Sequence, residues 1–243
     1  EADNPNVLTD VQELQAASGV NLVQDIGNTL GGELTVALDG PLVPVPSWKL
    51  AVEVYQPDRL EWSIEQLVAA YNRQPQKGVT VALNKSTANG LTYYQLLATG
   101  GSAPSNAEAD YVFIDGYLLA AANRSLLDSA IQNRATGNSL ARSQNFRNLL
   151  PQDANSNFSA IVYHNVSGLV GSLADGLQAV NAATPEQKAA INSLRANSAP
   201  GLIYAYGEPD KITISANGGL FGFNLDSLAL PKVIESMTRH KPK

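Results

Sequence analysis

The chain has 243 residues, with two histidines and no cysteine, which leaves few side chains suited to catalysis near neutral pH. His164 follows an apolar stretch, and His240 lies near the C-terminus. No His-x-x-x-His spacing, Gly-x-Ser-x-Gly elbow or phosphate-binding glycine loop occurs. We therefore interpret His164 as a strand-end or capping residue, with ligand binding as the alternative. We expect no cofactor and no metal site.

Two aspartates have the spacing that acid–base chemistry would need. Asp39 and Asp115 each follow a predicted strand and precede a glycine. Paired carboxyl groups can act as general acid and base. Asp-Gly is also the ordinary residue pair of a tight turn. The turn is the favoured interpretation, and a carboxylate-dependent hydrolase remains an alternative function.

Large aromatic side chains supply the remaining candidates for contact with a ligand or a partner. They gather in the first half of the chain, and we select Trp48, Trp62 and Tyr93. Trp62 lies two residues past Leu60 on a predicted helix, partly outside its buried stripe. An aromatic ring there can line a groove or a partner contact, with the edge of the core as the competing interpretation.

Composition excludes some classes of function. The net charge is −6 and the basic residues are scattered, whereas a nucleic-acid-binding protein needs a basic surface. The longest apolar runs, such as 117–122, are far shorter than the roughly 20 residues that span a bilayer. With 44% hydrophobic and only 16% charged residues, a carrier of an apolar ligand in a pocket between sheet and helices is the first alternative function, ahead of the hydrolase.

Strands and helices with different periodicity must position these residues. Strands are predicted over 33–38, 49–55, 79–83, 91–98, 111–114, 117–122, 158–163, 202–206, 211–216 and 220–224. Helices are predicted near 8–17, from Pro57 to before Pro75, and over 123–136, 143–150, 166–180, 184–196 and 230–237. Because the strands are mostly sequential, the expected class is α+β, with largely antiparallel sheets and helices packed on one face.

The chain also contains two stretches of similar pattern. Residues 34–70 and 103–137 both predict two strands followed by a capped helix. We interpret them as an internal duplication, two β-β-α units that lie side by side or are related by a pseudo-twofold. The expected organisation is one compact domain over 1–243, with pseudo-repeat halves 30–100 and 107–225 and a boundary loop at 99–106.

Three segments carry a resemblance to a known family. They are GGELTVALDGPLVPVPSWKLAVEVYQPDRL, DGYLLAAANRSLLDSAIQNRATGNSLARSQNFRNLLP and FSAIVYHNVSGLV. Together they resemble a bacterial domain-of-unknown-function family, over most of residues 30–170. The last part of its pattern falls on Ser139, Leu140, Ala141, Ser143, Phe146, Arg147, Leu149, Leu150 and Pro151. The resemblance implies long proteins that are secreted or attached to a membrane, and it transfers no catalytic or ligand residue.

The expected function is therefore a non-catalytic extracytoplasmic module that binds a protein or a component of the cell envelope. The lack of cysteine, together with abundant Asn, Gln, Ser, Thr and Gly, favours a bacterial exported protein. The sequence begins at Glu1 rather than Met, so we expect a mature or excised fragment whose missing upstream segment holds a signal or an anchor.

Overall fold

The computed structural model describes residues 5–40, 45–73, 78–101, 103, 107–152, 157–165 and 199–217. The elements predicted over 166–180, 184–196, 220–224 and 230–237 lie outside these residues. The chain folds as two compact units, Glu1–Thr136 and Gly137–Lys243. The 99–106 loop therefore connects two strands within the first unit. A single domain over 1–243 stays a prediction.

The first unit consists of three α-helices, two short helical turns and a single sheet, as far as the described residues show. In chain order its elements are α1 (Pro5–Ser18), a π-helical turn (Leu22–Ile26), a 3-10 turn (Gly27–Thr29), β1 (Leu30–Leu38), β2 (Trp48–Val54), α2 (Pro57–Arg73), β3 (Thr80–Ala88), β4 (Leu91–Thr99), β5 (Glu108–Ile114), β6 (Tyr117–Ala121) and α3 (Arg124–Thr136). The six strands form one sheet in the order β1-β2-β6-β5-β4-β3. Every pair in it is antiparallel, which confirms the α+β class.

Two tight turns set the register of neighbouring hairpins. Asn89 and Gly90 have φ values of 53° and 77°, and Asp115 and Gly116 have φ values of 50° and 81°. Two consecutive positive φ angles characterise the type I′ turn, whose twist matches that of the flanking strands. The Asn-Gly and Asp-Gly pairs therefore act as hairpin turns, as their residue types predict. The strand predicted over 79–83 continues to Ala88, so only two residues join β3 to β4.

The helices α2 and α3 pack on opposite faces of this sheet, and the expectation of one covered face is wrong. The side of β5 that carries Tyr111 packs against Leu60 and Ile64 of α2. The side that carries Val112 packs against Leu127 and Ile131 of α3. Successive side chains of a strand alternate between faces, and β5 has buried apolar side chains on both, Tyr111 on one and Val112 on the other. We call these two sides the α2 face and the α3 face.

The two predicted β-β-α units lie side by side, because β2 and β6 are neighbours in the sheet. Adjacent antiparallel strands are exchanged by a twofold axis normal to the sheet, and such an axis keeps each face in place. The helices lie on different faces, so a pseudo-twofold of this kind does not relate the units. The internal duplication itself stays a prediction.

The second unit contains a smaller antiparallel sheet. Its described elements are a 3-10 turn (Leu140–Arg142), α4 (Gln144–Arg147), β7 (Ala160–His164), β8 (Gly201–Gly207) and β9 (Ile212–Asn217). The strand order is β7-β8-β9, and the predicted hairpin of β8 and β9 is confirmed. Aromatic rings build the core on one side of this sheet, namely Phe146, Phe158, Tyr163, Tyr204 and Tyr206. No helix in the described ranges is long and apolar enough to cross a membrane.

Candidate binding surface

An exposed row of apolar side chains lies on β1, the outer strand of the six-stranded sheet. Leu34 and Val36 are each 67% exposed, and Leu38 is 55% exposed. They pair with Val52, Leu50 and Trp48 of β2, which are half-buried on the same side of the sheet. In the part of the chain that the structure describes, no strand pairs with the outer side of β1. We call Leu34, Val36 and Leu38 the β1 edge surface.

The opposite edge of the sheet has a different character. The outer strand there is β3, whose exposed side chains are mostly polar and include Lys85. Proteins commonly protect an edge strand from unwanted pairing with lysine, proline or polar residues. β1 contains neither lysine nor proline over its nine residues. Of the two edges, β1 is therefore the one that presents a row of apolar side chains without lysine or proline, as far as the described residues show.

The start of β1 is shaped by a diglycine. The register with β2 shifts between Leu30 and Leu34, and the Glu53 carboxylate lies over the intervening backbone. It accepts a 2.9 Å hydrogen bond from the Gly32 amide. A Cβ atom at Gly31 would overlap the Glu53 carboxylate, whereas one at Gly32 would meet open space. Gly31 therefore permits the close approach that fixes β1 against β2.

Acidic residues flank the β1 edge surface at both ends. Glu33 accepts a 2.5 Å hydrogen bond from the Tyr117 hydroxyl, and Asp39 forms an ion pair with Lys49. The Tyr117 bond to Glu33 is the main cause that raises the pKa of that phenol. None of the ion pairs between described residues involves Glu33 or Glu53. The start of β1 is therefore acidic, whereas the negative charge of Asp39 after its last residue is compensated by Lys49.

Two of the predicted contact residues, Trp48 and Trp62, lie on different elements of the first unit. Trp48 lies beside the β1 edge surface, opposite Leu38. Trp62 is 41% exposed on α2, and the Arg59 guanidinium lies 5.5 Å from its ring centre. Trp62 is therefore exposed, whereas Trp48 is half-buried. Trp48 is thus the predicted candidate that adjoins the exposed apolar row.

The other two predicted candidates are buried. Tyr93 is in the core on the α3 face, with the Arg124 guanidinium 3.1 Å from its ring centre. His164 is the last residue of β7, in the second unit, and is also buried. A role in contacting a partner needs an accessible side chain. A ligand role for His164 stays a prediction.

Asp39 and Asp115 do not come together. Asp39 follows β1 at the Trp48 end of β2, whereas the Asp115 turn lies at the Val54 end, where the Val54 amide donates to the Gly116 carbonyl. The length of β2 separates them by about 20 Å. Each carboxylate also has a cation, Lys49 for Asp39 and Arg134 at 3.3 Å for Asp115. This geometry does not support a hydrolase that uses the two carboxylates as a pair.

A buried carboxyl group that the sequence prediction missed lies on the α3 face. Asp110 of β5 is 3% exposed, and within the described residues its Oδ2 atom has no hydrogen-bond partner. Burial and the adjacent Glu108 carboxylate raise the pKa of Asp110 to about 6, while Arg124 opposes the shift. Burial is the first cause, because it penalises the charged carboxylate. Asp110 is therefore a buried carboxyl group whose pKa lies well above the ordinary value for aspartate.

Polar side chains connect this carboxyl group to the neighbouring strands. The Asn84 amide donates to Gln95 at 3.1 Å, and the Gln95 amide donates to Glu108 at 2.8 Å. Arg124 of α3 donates to Asp128 at 3.0 Å while its guanidinium covers Tyr93. These contacts satisfy Glu108 and orient Arg124, and they leave Asp110 enclosed. The arrangement fits a structural carboxyl group better than an accessible catalytic acid.

A second charged cluster lies on the α2 face. The Lys85 ammonium group contacts Glu61 at 2.6 Å and Glu65 at 2.5 Å, and these bonds raise its pKa. Burial would raise the pKa of Glu61, but hydrogen bonds from Lys85 and Tyr94 lower it overall. Burial, followed by the bond to Glu61, raises the pKa of Tyr94 to about 12. The cluster attaches α2 to β3 and β4.

Neither a metal nor an enclosed ligand is supported by the described residues. They contain no group of three or more His, Asp or Glu side chains arranged to hold a metal ion. Two clefts, of about 190 Å³ at the β5–β6 turn and about 290 Å³ beside the end of α1, are open to solvent. On the α2 face of the sheet, Tyr94 and Tyr111 are buried and stack with their ring centres 4.6 Å apart. An apolar-ligand carrier finds no support in this geometry.

Comparison with known proteins shows the family of the chain, and the activity of that family is unknown. A family model described as a protein of unknown function matches residues 8–199, which is most of the chain. The chain belongs to this family, DUF3352, and the resemblance to a domain-of-unknown-function family is thereby confirmed. No curated protein and no solved structure matches the chain.

Proposed function

We propose that this chain is a non-catalytic, extracytoplasmic binding domain that engages an extended segment of a partner protein by strand addition to β1. The observation that carries the proposal is an edge strand that has no neighbouring strand on its outer side among the described residues, and whose apolar residues Leu34, Val36 and Leu38 are exposed. In strand addition, main-chain hydrogen bonds supply affinity and alternate side chains supply specificity. The β1 edge surface has both elements.

The extracytoplasmic location rests on composition and on the family resemblance. The chain has no cysteine, few charged residues and many small polar residues. The resemblance is to proteins that are secreted or attached to a membrane. A module displayed outside the cytoplasm and equipped with an edge strand fits the binding of a protein or of a protein component of the cell envelope.

A labelled peptide of alternating valine and threonine, Thr-Val-Thr-Val-Thr-Val-Thr with blocked ends, tests the binding mode. Fluorescence anisotropy should rise on addition of the wild-type protein. Val36→Lys, which puts a charge in the centre of the β1 edge surface, should weaken binding at least about tenfold. Val36 is largely exposed, so the substitution leaves the core unchanged.

Thr87→Lys is the matched control. Thr87 is an exposed residue of β3, the other edge strand, on the same face of the sheet. Its substitution adds the same charge at the edge that we do not propose as a binding surface, and it should leave peptide affinity unchanged. Equal binding by wild-type and Val36→Lys proteins would contradict the proposed function.

A further inference from the structure

The two ends of the β1 edge surface differ in charge. At its first end, the carboxylates of Glu33 and Glu53 lie close to the backbone of β1 without an ion-pair partner among the described residues. The Arg134 guanidinium lies 5.5 Å from the Tyr117 ring centre, but its ion-pair partner is Asp115. At the second end, Asp39 is compensated by Lys49.

We infer that the partner of β1 is a strand with apolar side chains at three alternate positions and one basic residue next to them, placed to meet Glu33 and Glu53. This inference rests on the proposed function and names the chemistry of the partner. The three apolar side chains would lie beside Leu34, Val36 and Leu38. The basic side chain would lie on the other face of the sheet, where Glu33 meets Tyr117.

The direction of the partner strand follows from the sheet. All five strand pairs of the first unit are antiparallel. An added antiparallel strand runs from the Leu38 end towards the Glu33 end. Its basic residue therefore comes last, after the alternating apolar residues.

A second copy of the chain fits this edge less well. Pairing β1 antiparallel with itself about Val36 would align the apolar rows, but Glu33 would then face the Asp39–Lys49 ion pair of the other copy, which carries no net positive charge. Each chain also has a net charge of −6, so two copies repel one another. A cationic strand encounters attraction where a second copy encounters repulsion.

The test compares three peptides with blocked ends: Val-Thr-Val-Thr-Val-Lys, Val-Thr-Val-Thr-Val-Glu and Lys-Val-Thr-Val-Thr-Val. We expect the first to bind the wild-type protein about threefold to tenfold more tightly than the second, with a preference that shrinks as salt is added. It should also bind more tightly than the third, because its basic residue is at the end required by antiparallel addition. Glu33→Lys should reverse the preference between the first two peptides.

The outcomes separate this inference from the proposed function. If all three peptides bind equally and Val36→Lys abolishes their binding, the inferred partner is wrong and strand addition stands. If the Val36→Lys protein binds them as well as wild type, or if none binds, both fail. A dimer in sedimentation velocity that Val36→Lys dissociates would also overturn the inference, because the occupant would then be a second copy.

Discussion

The Tyr117 hydroxyl donates a 2.5 Å hydrogen bond to the Glu33 carboxylate, and this bond joins the two strands on either side of β2. Glu33 belongs to the edge strand β1, whereas Tyr117 belongs to β6 in the interior of the sheet. The bond therefore links β1 to β6, a strand with which β1 forms no main-chain hydrogen bonds. The proposed binding strand is thus fixed on its inner side, and no described strand pairs with its outer side.

Removing this bond should loosen β1 without unfolding the sheet. We expect Tyr117→Phe to accelerate amide exchange along residues 33–38 and to change little in β4 and β5. Because folding raises the pKa of the Tyr117 phenol, the stability from this bond should be lost as the pH rises above the ordinary tyrosine value. Hydrogen exchange by mass spectrometry measures the first effect. Unchanged exchange in β1 would show that the bond does not hold the strand.

The diglycine at the start of β1 gives a prediction with an internal control. Gly31→Ala must displace the Glu53 carboxylate and break its bond to the Gly32 amide, which should cost about 1 kcal/mol in the free energy of unfolding. Gly32→Ala meets open space and should be close to neutral. Urea denaturation of the two variants measures the difference. Equal destabilisation would mean that backbone strain in the folded state, rather than displacement of Glu53, is responsible.

The buried Asp110 predicts an unusual dependence of stability on pH. Its pKa of about 6 in the folded state exceeds the ordinary value of 3.8, so the folded state binds more protons between these values. Stability from this group is fully present below about pH 4 and is lost as pH rises to 6. Asp110→Asn should therefore stabilise the protein at pH 7.5 by on the order of 1–3 kcal/mol and change little at pH 4.

Urea denaturation at pH 4, 5, 6 and 7.5 measures this difference, and the comparison of wild type with Asp110→Asn cancels the contributions of other carboxylates. Glu108→Gln is a second variant to measure, because loss of the Glu108 charge should lower the pKa of folded Asp110. The pH range over which Asp110 changes the stability should then become narrower. A wild-type protein that is more stable than Asp110→Asn at pH 7.5 would contradict the prediction.

A buried hydroxyl joins the π-helical turn to α2. The Ser63 Oγ atom is fully buried and lies 3.1 Å from the carbonyl oxygen of Asp25 and 2.8 Å from that of Arg59. The side chains of Asp25 and Arg59 form an ion pair at the same junction, and the bond from Arg59 lowers the pKa of Asp25. Ser63→Ala should cost about 1–2 kcal/mol, because it removes a buried hydroxyl that bonds to both elements.

Ser129→Ala provides the comparison for this substitution. Ser129 is an exposed residue within α3, so its replacement should have a neutral or slightly stabilising effect. Thermal or urea denaturation distinguishes the two variants. If both behave alike, the hydrogen bond from Ser63 contributes no net stability.

Local structure could be predicted from the sequence where one residue type has one physical reason to be present. Asn123 accepts a 3.0 Å hydrogen bond from the Leu126 amide, as its position at the start of a helix predicts. The Asn-Gly and Asp-Gly turns likewise have the positive φ angles that their residue types allow. Such features depend on neighbours in the chain.

Features that depend on packing against residues far away in the sequence could not be predicted in this way. The alternation of Leu34, Val36 and Leu38 indicates a strand with a buried apolar side, but these residues are exposed because β1 is an outer strand. The prediction of one covered face failed for the same reason, since periodicity within a helix does not specify a sheet face. Asp110 was missed because the predicted strand began one residue later, at Tyr111.

The central claim, strand addition to β1, is tested most directly by amide exchange in the presence of the Val-Thr-Val-Thr-Val-Lys peptide. In an antiparallel strand every second residue directs its amide outward, so saturating peptide should slow exchange at alternate residues of 33–38. Exchange in β3, at the other edge of the sheet, should stay unchanged. Protection in β3, or binding of the peptide without protection in β1, would contradict the account.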